Sequence, residues 1–111
     1  MFKDDETRLR HILDAAREAV SFIEGHNRKD LDTDRKLNLS LVRLLEIIGE
    51  AARSLTLEFR REHPELAWKS MVGMRDRLIH GYFDVNQDIL WETVANDLPL
   101  LIGKLEGILT D

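Results

Sequence analysis

RKLNLSLVRLLEIIGEAARSL occupies residues 35–55. Leu37, Leu41, Leu44, Leu45, Ile48, Ala52 and Leu55 recur at three- and four-residue steps, the spacing of one helical face. Leu39, Val42, Ile47 and Ala51 widen that stripe, so the helix needs cover on two sides. Either it runs through the centre of a small bundle, or its second face forms a dimer seam. Thr33 or Asp34, just ahead of it, can cap its first turn.

Toward the N-terminus, Leu9, Ile12, Leu13, Ala16, Val20 and Ile23 define another helix over about 4–24. Gly25 is suited to end it, and the polar run HNRKDLDTD reads as a loop. Toward the C-terminus, His63-Pro64-Glu65 looks like a helix start, because proline fits the first helical position and glutamate the first turn. A third helix is expected over about 65–80, stopped by Gly81. In the loop GYFDVN, Asp84 with Gln87 resembles a capping box. A fourth helix then begins near 87 and buries Leu90, Trp91, Val94, Leu98, Leu101, Ile102, Leu105, Ile108 and Leu109, with a kink at Pro99. No strand-like alternation or repeat interrupts this pattern. The expected fold is an all-α, up-and-down bundle of four main helices in a single domain, 1–111, with room for a short extra helix and a kinked last helix.

The 111 residues suffice for one domain with a real core. With 16 Lys and Arg against 21 Asp and Glu, the net charge of −5 excludes a general polyanion binder, so any nucleic-acid contact must be local. Lacking cysteine, the chain has no disulfide framework, thiolate nucleophile or cysteine zinc site. The charged start MFKDDETRLRHIL and the want of an apolar run of about 18 residues argue against a signal peptide or membrane span; a cytoplasmic protein is expected. His11, His26, His63 and His80 show no i, i+4 pairing, and no phosphate-binding glycine loop is present, so neither a metal nor a cofactor is expected.

RDRLIHGYF, residues 75–83, is the anomaly. On a continuous helix stepped from Met71, the residues Met74, Leu78, Val72 and Ile79 span an apolar arc, and Arg75 falls inside it at about 40°. A buried unpaired guanidinium is very costly. Arg75 must therefore pair with a carboxylate such as Glu46 or Glu50, snorkel outward, or line a wet cleft. His80, about 140° further round, shares no face with Arg75 unless the helix ends there or a second subunit supplies half of a site. Residues 60–80 hold five cations against three acids, a net +2, which leaves −7 for the remainder. That gradient would aim a phosphate at the third helix.

MRDRLIHGYFDVN, Met74 to Asn86, resembles the R-x4-H-x-Y motif of the HepT-like branch of the HEPN-domain ribonucleases. LEIIGEAARSL, HPELAWKSMVGMR and ILWETVANDLP are similar to the same family, so the resemblance covers nearly the whole chain. It implies a homodimeric helical-bundle toxin of a type II or VII toxin–antitoxin pair. Such a toxin cuts RNA without a metal and is encoded beside an MNT-type nucleotidyltransferase antitoxin. It further implies that His80 moves the proton of a 2′-hydroxyl or of the leaving oxygen, and that Arg75 holds the phosphoryl group. Tyr82 matches the tyrosine that the antitoxin adenylylates, placing charge and bulk where RNA must bind. Many relatives have asparagine where this chain has Asp76. Asp76 is read as orienting His80, with Arg77 in support, and activity is expected to be weaker. The competing expectation is a catalytically silent helical partner that docks and positions a nucleotidyltransferase.

Overall fold

The computed structural model describes residues 1–78 and 84–110. In chain order these form α1 (Lys3–Phe22), α2 (Asp30–Thr33), α3 (Arg35–Arg53), α4 (Leu57–Glu62), α5 (Trp68–Val72), α6 (Met74–Leu78), α7 (Gln87–Glu92), a π-helical turn (Thr93–Asp97) and α8 (Leu98–Leu109). The architecture is an all-α bundle. Helix α1 packs along α3 and α8, α3 packs in turn on α5 and α6, and α6 meets α7, which closes the ring.

Every residue of the main α3 stripe is buried, from Leu37 to Leu55, as is Val42. Helices α5 and α6 cover part of the second face from within the chain. Of the widening residues, Ile47 and Ala51 are half-buried and Leu39 stays exposed. Asp34 supplies the N-cap, accepting from the Leu37 N–H at 3.0 Å. Gly25 does take the left-handed conformation, with φ +79°, just past α1.

The segment read as a loop holds one helical turn, α2. Asp30 accepts the Asn27 N–H at 3.0 Å and lies 2.8 Å from the His26 ring, and both hold its carboxyl below the usual range. Arg28 then joins Asp32 to Asp88 of α7, at 2.9 and 2.7 Å, while Asn38 bonds Gln87. These contacts fasten the start of α7 to α2 and α3.

The expected third helix differs most. It begins at Trp68 rather than 65, and it breaks at Gly73 into α5 and α6. Pro64 lies in a turn ahead of it, preceded by an unanticipated helix, α4. Thr56 caps α4 by accepting from the Phe59 N–H at 3.1 Å. Trp68 closes its far end, its indole N–H donating to the carbonyls of His63 at 2.8 Å and Arg60 at 3.2 Å. Phe59 is buried against both rings, with centroids 4.6 Å from His63 and 5.7 Å from Trp68.

Asp5, in the first turn of α1, is the buried carboxylate that holds α4. It accepts from the Thr56 N–H at 3.0 Å and the Thr56 hydroxyl at 2.7 Å. Asp5→Ala strips the acceptor from the part-buried Thr56 N–H and hydroxyl, so it should lower stability by about 1–3 kcal/mol. Denaturant melts of the two proteins check this, and equal midpoints would contradict it.

The last helix is interrupted by a π-helical turn, Thr93–Asp97, immediately before α8, which carries Pro99 in its first turn. Proline has no N–H to give and its ring clashes with the carbonyl four residues back, so the wider turn absorbs both defects. Asn86, not Asp84, caps α7, accepting from the Ile89 N–H at 3.1 Å. The expected stop of the third helix at Gly81 lies outside the described residues. No described helix is long and apolar enough to cross a membrane.

Candidate functional site

Met74 and Leu78 anchor α6 in the core, one turn apart. Because Gly73 interrupts the helix and Val72 is only half-buried, the buried arc is narrower than a continuous wheel suggests. Arg75 falls on its margin and emerges, with its side chain 61% exposed. There its Nε donates to Oε2 of Glu46 at 3.3 Å. Of the three possibilities for Arg75, the structure thus combines two: a carboxylate partner and a wet cleft.

Glu46, Gly49, Glu50, Arg53, Val72, Arg75 and Asp76 line this cleft between α3 and α6, which holds about 450 Å³. Gly49 sets its depth. A Cβ at Gly49 would lie 3.2 Å from the Met71 carbonyl oxygen, so the missing side chain is what lets α5 ride close on α3. Glu50 is engaged elsewhere, 3.8 Å from Arg43, which leaves Glu46 to Arg75. Gly49→Leu should force the helices apart and lower stability by about 1–3 kcal/mol. An unchanged melting temperature would refute that account of the cleft.

Asp76 is exposed on the same cleft. Arg77 turns the other way, donating to the Ser70 carbonyl at 3.4 Å and facing the α7–α8 side near Asp97. Two of the three motif charges therefore share a cleft and the third does not. His80 and Tyr82 lie outside the described residues. Their segment is bracketed by a described contact, since the Asn86 N–H donates to the Leu78 carbonyl at 2.8 Å.

The basic character expected of residues 60–80 is partly spent on structure. Arg60 donates to the carbonyls of Ala52 and Arg53 at 2.8 and 2.7 Å, capping α3 at its negative end. Its Nε is buried without a partner among the described residues. Around Arg75 itself, three carboxylates face two guanidinium groups. Sequence reasoning named Glu46 but missed Gly49, because closeness of helices leaves no periodic signal. Among the described residues no three His, Asp or Glu side chains converge as a metal would require.

A helical bundle with an arginine on an open cleft matches one family model along most of its length. The model described as ribonuclease HepT-like covers residues 12–108, and the chain belongs to that ribonuclease family. A protein of Thermococcus cleftensis named "Probable ribonuclease HepT" is 44% identical over 95 residues, 82% of this chain and 86% of its own. A protein of Caldanaerobacter subterraneus named "Putative RNase" is 43% identical over 101 residues, 91% of this chain and 90% of its own. No solved structure matches the chain significantly.

Proposed function

We propose that this chain is a metal-independent endoribonuclease toxin, a single-domain cytoplasmic protein acting as a homodimer on RNA. The observation that carries the reading is the exposure of Arg75: its side chain is 61% exposed despite the pair with Glu46, so the guanidinium remains open to a phosphate. His80 follows the last residue of α6, Leu78, by two positions in the sequence. In the reaction the 2′-oxygen attacks phosphorus as its proton passes to the imidazole of His80. The P–O5′ bond breaks and the departing oxygen takes up a proton. Arg75 stabilises the charge gathering on the phosphoryl oxygens. Asp76 orients His80, and Arg77 fixes α6 through Ser70.

Tyr82 is the control point in this reading. A nucleotidyltransferase antitoxin transfers AMP to its hydroxyl, and the added phosphodiester repels RNA from the cleft. Co-expression with such an enzyme should raise the intact mass by one adenylyl group, and Tyr82→Phe should abolish the increment. A retained increment in Tyr82→Phe would remove Tyr82 as the acceptor.

A second reading, a catalytically silent module that docks a nucleotidyltransferase, draws on the three carboxylates around Arg75, which oppose RNA binding. Incubating RNA with the purified protein and a chelator separates the two. The nuclease reading expects cleavage; intact RNA together with a tight nucleotidyltransferase complex supports the silent module.

A further inference from the structure

We propose that Glu46 is a positioning residue for RNA cleavage, bracing Arg75 by its Nε–H edge so that both Nη groups are presented to the scissile phosphate. This rests on the reading of Arg75 as the phosphate-binding arginine. A guanidinium has two faces able to grip an oxyanion: the edge formed by Nε and one Nη, and the end formed by the two Nη groups. Glu46 engages Nε, with Oε2 at 3.3 Å, and neither Nη group makes a hydrogen bond among the described residues.

The two partners differ in freedom. Glu46 belongs to the 19-residue α3 and is 26% exposed, whereas Arg75 extends from the five-residue α6 and is 61% exposed. The carboxylate is thus the fixed member and the guanidinium the one that needs fixing. Gly49 lies three residues along α3 from Glu46, and its bare Cα keeps α5 close, so the brace is built into the approach of the helices. With Glu50 drawn to Arg43, Glu46 alone serves Arg75 among the described residues. Bracing orders the guanidinium before substrate arrives, and such preorganisation favours the transition state over simple binding.

Because Glu46 is negative, it also opposes the RNA backbone, which separates its two effects. Removing it should slow the chemical step without weakening substrate binding. The test is steady-state cleavage of one oligoribonucleotide by wild type, Glu46→Ala, Glu46→Gln, Arg75→Ala and the double variant Glu46→Ala/Arg75→Ala, with melting temperatures alongside. Glu46→Ala should lose about tenfold in kcat with KM unchanged or lower. Glu46→Gln, whose amide oxygen still accepts the Nε–H, should recover most of that loss. The double variant should be no slower than Arg75→Ala, since the brace acts only through the arginine. A wild-type kcat in Glu46→Ala, or an equal further loss in the Arg75→Ala background, overturns the proposal while leaving Arg75 in place. If Arg75→Ala is itself as fast as wild type, the reading of Arg75 falls, and the brace with it.

Discussion

Arg75→Ala should lower kcat/KM for RNA cleavage by about 10²–10³-fold, the cost of losing one preorganised charge donor in the transition state. His80→Ala should cost about 10²–10⁴-fold, the range of a general acid or base. The loss in the arginine variant is not expected to reflect damage to the fold. The Arg75 side chain is 61% exposed, and its ion pair with Glu46 contributes about 0–1 kcal/mol at most. The melting temperature of Arg75→Ala should accordingly stay within a few degrees of wild type, at about 4–8 °C per kcal/mol for a small domain. Circular dichroism and cleavage rates on the same preparations check both halves. Growth arrest on expression without an antitoxin should follow the cleavage rates; equal arrest by wild type and both variants would contradict the assignment of the pair.

Phe59→Ala should lower stability by about 3–5 kcal/mol, from lost burial and the cavity left behind. Phe59 is 2% exposed and sits between the rings of His63 and Trp68. Its loss undoes the corner where α4 turns toward α5, so the surroundings have little backbone able to close in. A fall in melting temperature of roughly 15 °C is expected. Should the variant melt within a few degrees of wild type, the corner contributes far less than its burial indicates.

That corner also marks where the sequence stopped being legible. Helices α1 and α3 and the α7–α8 span repeat their apolar residues over three or more turns, enough for a period of 3.6 to emerge. Helix α4 has six residues, α2 four, and each of the pieces either side of Gly73 five, too few turns to show a period. Pro64-Glu65 carried the local chemistry of a helix start, but the Trp68 indole is committed to the carbonyls that end α4, and this tertiary contact moves the start to Trp68. The cap of α7 was assigned to Asp84 from its spacing to Gln87, while Asn86 sits one residue before the helix and takes the bond. Pro99, by contrast, marked the irregularity that the π-helical turn ahead of α8 shows, because a missing N–H acts locally.

The candidate site was legible in part for the same reasons. An arginine amid apolar spacing signalled a conflict, and the carboxylates of α3 that could resolve it lay one turn apart, Glu46 and Glu50; the structure selects Glu46. Net charge over 60–80 misled, since Arg60 is consumed in capping α3 and Arg77 bonds Ser70 on the far side of α6. Charge counted along a chain says nothing of which face carries it or which carbonyls claim it first.

The central claim is that Arg75 and His80 together turn an RNA strand's own 2′-hydroxyl into the nucleophile. It is tested most directly with a short oligoribonucleotide, cut by the wild-type protein in excess chelator, and a copy carrying a single 2′-deoxyribose on the 5′ side of the cut. Cleavage of the all-ribose strand, with no cleavage at the substituted position, is the predicted result. Equal cutting of both strands, or cutting that appears only when a divalent cation is supplied, would contradict it.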